Sequence, residues 1–169
     1  SPRKNLLRVL KAVTLLDKDI FENYKLIIIG KISFILPEES LLLKKLIKIN
    51  KVVLLKNISD KHLLEYYKKS ELLIFPSLSE GFGYPILEAF ATKLPVITSK
   101  YGATKEIAND AALLINPFNV LEIKDSIMEI IKNNSLKNNL IKKGTKRLSF
   151  FSHKKLINET DKVYKKTIL

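Results

Sequence analysis

Short apolar runs rich in branched residues alternate along the chain with longer amphipathic segments, and this alternation leaves few possible folds. Buried parallel strands have such short apolar runs, and the amphipathic segments are typical of the helices that connect them. At 169 residues the chain is long enough for one domain and too short for two full ones. The sequence therefore predicts a single α/β domain, over residues 1–169, built on a doubly wound parallel sheet.

The pattern predicts five strands and a larger number of helices. Strands are expected at 25–29, 52–55, 72–75, 95–98 and 113–115. Helices are expected near 5–17, 38–49, 60–69, 85–92 and 103–108, with C-terminal helices over about 119–168, at 119–133, 135–147 and 153–167. Asp60 is a candidate N-cap and Pro85 a first-turn proline.

The first predicted element is a helix, whereas a doubly wound sheet begins with a strand. We therefore expect the first strand of the sheet to be absent from this chain, cut away with whatever preceded it.

Composition excludes several classes of functional site. The chain has no cysteine and two histidines, which rules out disulfide scaffolds, thiol nucleophiles and histidine-rich metal sites. No apolar stretch approaches the about 18 residues that a membrane-spanning helix needs, and the N-terminus lacks the apolar core of a signal peptide. A cytoplasmic protein is the expectation.

The chain is strongly basic, with 30 Lys and Arg against 17 Asp and Glu and a net charge of +13. The arginines are Arg3, Arg8 and Arg147, and the remaining basic residues are lysines. Because base readout and bidentate phosphate binding favour arginine, we do not expect nucleic-acid binding. Two explanations stay open: a generic lysine-rich surface, and peripheral contact with an anionic membrane.

Residues 70–106 carry the features that indicate chemistry. Gly81 and Gly83 follow the predicted strand 72–75, and Pro85 begins the next helix. Ligands of doubly wound sheets bind where loops leave the carboxyl ends of strands. Glycines let the backbone approach a ligand there, and the free N–H groups of a helix N-terminus bind phosphate.

Two carboxylates, Glu80 and Glu88, flank this predicted phosphate site. Carboxylates repel phosphate but bind hydroxyl groups well, so they are expected to face a sugar or a ribose. Phosphate on backbone amides with hydroxyls on carboxylates favours a nucleotide sugar. The same strand, glycine loop and helix also occur in α/β proteins for structural reasons alone, and spacing does not separate the two interpretations.

The segment PSLSEGFGYPILEAFATKLPVITSKYGATKEIA resembles the donor-binding motif of glycosyltransferase family 4, a retaining family with the GT-B fold. The matching features are two glutamates separated by seven residues, EGFGxPxxEA, PVIxS, and the pair Gly102 and Glu106. The opening PRKNLLRVLKAV and the tail FFSHKKLINETDKVY resemble the first and last helices of the family's C-terminal domain. The resemblance thus covers essentially the whole chain.

The resemblance implies the Rossmann-like, donor-binding C-terminal half of a two-domain enzyme. Such an enzyme transfers a sugar from a UDP- or GDP-sugar to a glycan or lipid-linked acceptor, with retention of configuration, in polysaccharide, lipopolysaccharide or glycoconjugate biosynthesis. The resemblance further implies that no metal cofactor is needed. The missing N-terminal half would bind the acceptor, so the chain alone is expected to be inactive.

The resemblance also implies a role for each matching residue. Glu88 would bind the ribose hydroxyls, and Glu80 would contact the donor sugar beside the reacting carbon. Lys4 and Arg3 would stabilise the leaving diphosphate, and Ile58 would lie against the base. The diphosphate itself would lie on the backbone of the loop and helix start, formed by Gly81, Phe82, Gly83, Tyr84 and Pro85.

The chain departs from the family pattern at a few positions. Lys93 and Lys56 stand where the family usually has glycine, and His62 and His153 are expected at the surface. Two other functions stay open. One is a non-catalytic sugar-nucleotide module, or one subunit of a split transferase. The other is a lysine-rich binding domain on an unrelated α/β scaffold.

Overall fold

The computed structural model describes residues 2–32 and 35–151. The strands are β1 (Leu26–Ile29), β2 (Val52–Leu55), β3 (Leu73–Phe75), β4 (Val96–Ser99) and β5 (Leu113–Ile115). The helices are α1 (Leu6–Thr14), α2 (Lys18–Asn23), α3 (Pro37–Lys48), α4 (Asp60–Lys69), α5 (Tyr84–Ala91), α6 (Gly102–Ala108), α7 (Val120–Lys132) and α8 (Asn134–Leu148). Short 3-10 turns lie at Pro2–Lys4, Asn109–Ala111 and Ser149–Phe151.

All strand pairs in residues 2–32 and 35–151 are parallel, which confirms the predicted α/β class. Within the described residues the strands form two sheets, β1–β2 and β3–β4–β5. The expected absence of the first strand stays a prediction.

Helix α1 connects the cores of the two sheets. Its Leu10 is fully buried with Leu43 and Leu46 of α3, beneath the first sheet. Two residues further along, and so on the opposite face of the helix, Ala12 packs with Ile97 and Ile123 beneath the second sheet. A third apolar cluster, formed largely by α5 and α6, covers the other side of the second sheet. Helix α1 therefore contributes to the apolar cores of both sheets.

The helices differ from the predicted ones in three respects. The predicted helix 5–17 ends at Thr14, and the separate helix α2, which the sequence pattern did not indicate, follows it. The prediction of Asp60 as N-cap was wrong. Ser59 is the N-cap of α4, and its hydroxyl accepts a hydrogen bond from the backbone N–H of His62, which is exposed. The predicted helix 153–167 and His153 lie outside the described residues.

Lys93, which stands where the family usually has glycine, forms the turn after α5. Its φ is 58°, in the left-handed region that favours glycine. Its N–H donates to the Phe90 carbonyl, and the N–H of Leu94 donates to the Ala89 carbonyl, which is a Schellman helix end. The turn therefore keeps its form with a lysine. At the other departure, the positive φ belongs to Asn57 rather than to Lys56.

No helix in the described part of the chain is long and apolar enough to cross a membrane.

Candidate functional site

The N-terminal turn lies on the loop that follows β3 and forms a charge cluster with it. Arg3 Nη1 donates to Glu80 Oε2 at 2.6 Å, and Lys4 Nζ donates to Glu80 Oε1 at 2.6 Å. Arg3 also bonds the Ser79 carbonyl, and the Lys4 ammonium lies 4.6 Å from the centre of the Phe75 ring. The three predicted catalytic residues thus come together, because Arg3 and Lys4 both contact Glu80, which lies 77 and 76 positions away from them in sequence.

The charges in this cluster depend on one another. Burial of Glu80 by itself raises its pKa, but the hydrogen bonds from Lys4 and Arg3 outweigh burial and hold the pKa below the ordinary value. The Glu80 carboxylate is therefore ionised at neutral pH. Two cations beside a helix N-terminus need a nearby anion, and in the structure this anion is Glu80.

Asn5 connects the N-terminal turn to the loops after β3 and β5. The sequence pattern did not indicate this role. Its side chain is buried, and its Nδ2 donates to the Pro76 carbonyl at 3.1 Å and to the Pro117 carbonyl at 2.6 Å. These carbonyls belong to the loops after β3 and β5. Its Oδ1 accepts from Arg8, and its φ of 60° turns the chain into α1. Asn5 thereby positions Arg3 and Lys4 over the β3 loop.

The glycine loop presents free backbone donors at the start of α5. No acceptor in the described residues takes a hydrogen bond from the N–H groups of Phe82, Gly83 or Tyr84, and no side chain caps the helix. Gly83 has a φ of 126°, so its backbone conformation requires glycine. Gly81 lies outside the left-handed region, and a Cβ there would meet no atom of the described residues within 4 Å. Pro85 lies in the first turn of α5, as predicted.

Aromatic side chains form the outer rim of this loop. The rings of Phe82 and Tyr84 lie 4.9 Å apart, and Phe151 meets Phe82 edge-on at 6.0 Å. Phe82 and Tyr84 are exposed, Tyr84 to 69%. The loop is therefore open to a ligand from solvent.

Glu88 lies one turn further along α5 and is held by a residue that sequence reasoning missed. Tyr67 of α4 donates its hydroxyl to Glu88 Oε2 at 2.7 Å. Burial raises the pKa of Tyr67, and the hydrogen bond to Glu88 and its negative charge raise it further. Tyr67 therefore stays protonated and is a permanent donor.

Ile58 is not joined to these groups by any contact that the structure shows. It is half-buried in the loop after β2, at the carboxyl end of the first sheet, whereas Glu80 and Glu88 lie in and after the loop that leaves the second. Its contact with a base stays a prediction. In residues 2–32 and 35–151 there is no group of three or more His, Asp or Glu that could hold a metal ion.

The family described as "Glycosyl transferases group 1" matches residues 1–147, most of the chain. The chain belongs to this family. It is 28% identical over 164 residues to the O-antigen chain mannosyltransferase B of Escherichia coli, which covers 97% of the chain and 43% of that protein. It is 33% identical over 149 residues to the uncharacterized glycosyltransferase MJ1178 of Methanocaldococcus jannaschii, covering 87% of the chain and 41% of that protein. This group 1 chain thus spans about two fifths of the length of these relatives.

Solved structures confirm the fold of the group 1 domain. The C-terminal domain of the group 1 glycosyltransferase LpcC from Francisella tularensis superposes with a TM-score of 0.75 at 23% identity, over 89% of this chain and 80% of that one. The lipopolysaccharide glycosyltransferase WaaG superposes with a TM-score of 0.73 at 22% identity, over 87% of this chain and 40% of that one. The match to an isolated C-terminal domain agrees with a Rossmann-like C-terminal half of a GT-B enzyme.

Proposed function

We propose that the chain is the donor-binding domain of a retaining glycosyltransferase and binds a nucleoside diphosphate sugar at the loop between β3 and α5. The observation that carries the proposal is the junction of two features at one sheet edge. One is the run of unbonded N–H groups at Phe82, Gly83 and Tyr84, and the other is the Arg3–Glu80–Lys4 cluster beside it. Donors for phosphate and an acceptor for hydroxyls thus lie on the same loop.

The proposed donor lies with its diphosphate on the loop amides and its ribose on Glu88. Glu80 keeps an ionised carboxylate for the hydroxyls of the transferred sugar. The relatives named as O-antigen chain mannosyltransferases favour mannose as that sugar, with UDP and GDP as the candidate nucleotides. On this proposal the transferred sugar becomes part of a polysaccharide or a lipopolysaccharide.

In the proposed transfer, negative charge develops on the departing diphosphate and must be stabilised. Lys4 and Arg3 are each about half exposed, 41% and 50% at the side chain, so each can reach a phosphate from the solvent side. With the amides at the start of α5 they supply positive charge where the diphosphate departs. This arrangement does not call for a metal ion. Glu80 and Glu88 serve the donor and are not an acid and base pair across the scissile bond.

The acceptor is proposed to bind to a second, N-terminal domain, because the chain spans only about two fifths of its relatives. On this proposal the chain binds donor weakly and transfers nothing alone. We also propose a cytoplasmic location, with lysine-rich peripheral contact to anionic lipid. Failure to sediment with phosphatidylglycerol vesicles at physiological salt would remove the lipid contact from the proposal.

Glu88→Ala tests the donor site. We expect the variant to weaken UDP or GDP binding by about 1.5–3 kcal/mol, because hydrogen bonds from the ribose to a charged acceptor are lost. Isothermal titration calorimetry with UDP, GDP and their mannose and glucose conjugates measures the change and identifies the base. Glu129→Ala, an exposed glutamate on α7 with no ion pair in the described residues, is the matched control. Equal affinities for wild type and Glu88→Ala would contradict the proposal.

Gly81→Ala tests the placement of the diphosphate. The added methyl group meets no atom in the described part of the chain, so we expect the free energy of unfolding to change by less than about 0.5 kcal/mol. The methyl group would lie between the loop backbone and a closely bound diphosphate. We therefore expect nucleotide affinity to fall about tenfold. Thermal unfolding and calorimetry separate the two effects. Unchanged affinity would place the diphosphate elsewhere.

A further inference from the structure

The hydroxyl of Tyr67 is the one side-chain partner that the structure shows for the Glu88 carboxylate in residues 2–32 and 35–151. Tyr67 lies on α4 and Glu88 on α5, so the bond joins the two helices that flank β3. The ring of Tyr67 packs against the apolar cluster that includes Ile86 and Phe90. The ring is thus anchored in the core, while its hydroxyl reaches the exposed glutamate.

The geometry leaves the two carboxylate oxygens in different states. Oε2 of Glu88 accepts from Tyr67 at 2.7 Å, and Oε1 has no bonded donor among the described residues. A free glutamate side chain loses rotamer freedom when it binds a ligand. A glutamate already held on one oxygen by an anchored neutral donor loses less.

We propose that Tyr67 is a positioning residue that holds Glu88 with Oε1 directed to the ribose hydroxyls, and that it thereby sets the preference of the site for ribose over deoxyribose nucleotides. This inference rests on the proposed donor site. It assigns no contact between Tyr67 and the ligand itself.

The test is Tyr67→Phe in the full polypeptide that carries these residues, titrated with UDP and GDP and with their 2′,3′-dideoxy analogues. Only the hydroxyl is removed, so ring packing is kept. We expect wild type to bind the ribonucleotide at least about tenfold more tightly than its dideoxy analogue. In Tyr67→Phe the ribonucleotide affinity falls about fivefold while the dideoxy affinity stays within about twofold, so the ratio of the two collapses.

Tyr66→Phe is the matched control, since no hydrogen bond of the Tyr66 hydroxyl is seen in the described part of the chain. It is expected to leave both affinities and their ratio unchanged. If Tyr67→Phe weakens both nucleotides equally, the hydroxyl does not act through the ribose hydroxyls and the inference is overturned. If Tyr67→Phe keeps the wild-type ratio of ribonucleotide to dideoxynucleotide affinity, the inference is also overturned, although the proposed donor site is not contradicted. A wild type that binds neither nucleotide, or binds both equally, overturns the ribose contact of Glu88 and with it the inference.

Discussion

Asn5→Ala is expected to lower the free energy of unfolding by about 3 kcal/mol, because the Pro76 and Pro117 carbonyls lose their buried donor. Alanine also tolerates the left-handed conformation at φ 60° less well than asparagine, which adds to the loss. Urea unfolding followed by circular dichroism measures the change. Nucleotide binding is expected to weaken as well, since Asn5 positions Arg3 and Lys4.

Asn50 provides the matched control for this variant. It has nearly the same backbone angle, φ 58°, but it lies exposed in the turn after α3. Asn50→Ala is therefore expected to cost about 1 kcal/mol, the backbone part alone. Asn5→Gly removes the backbone penalty and keeps the loss of both hydrogen bonds. If Asn5→Ala costs no more than Asn50→Ala, the two buried bonds do not stabilise the fold.

Gly144→Ala is expected to destabilise the protein by about 2 kcal/mol, through overpacking of α8 against α5. A Cβ at this position would lie 2.6 Å from Cδ1 of the Phe90 ring, and that ring is itself buried. At an exposed helical position the same substitution would stabilise by about 1 kcal/mol. The sign of the change therefore reports the close approach of the helices. Differential scanning calorimetry provides the measurement.

The same substitution in a Phe90→Leu variant tests whether the contact with Phe90 causes the loss of stability. In Phe90→Leu the side chain at position 90 is smaller and more adaptable, so the cost of Gly144→Ala is expected to shrink by about 1 kcal/mol or more. A double-mutant cycle over the two positions measures this coupling. A stabilising Gly144→Ala, or a cycle with no coupling, would contradict the predicted contact.

Most strands and helices were predictable because local signals define them. Each observed strand lies within a residue or so of its predicted bounds, since short branched apolar runs have few alternatives. The missed α2 has six residues, too few for a periodic pattern to stand out. The Ser59 cap was missed because two capping residues, Ser59 and Asp60, stand side by side, and only the helix start decides between them.

The candidate site was predictable in part. The residues that carry the motif, from Glu80 to Glu88, are contiguous, and the structure places them on one loop and one helix as expected. Asn5 and Tyr67 were not found, because their importance lies in partners that are distant in sequence, Pro117 and Glu88. An asparagine before an apolar run and a tyrosine in an amphipathic helix are ordinary when seen alone.

The sequence by itself determined the α/β class, the order of the strands and of most helices, and the family, because periodicity, turn residues and a contiguous motif are local properties of the chain. The tertiary structure decided which polar groups pair. It joined Arg3 and Lys4 to Glu80, and it placed Tyr67 beside Glu88. It also decided that the strands of the described residues form two sheets, with α1 packed beneath both. Such pairings arise from packing between distant elements, and no local pattern of residues encodes them.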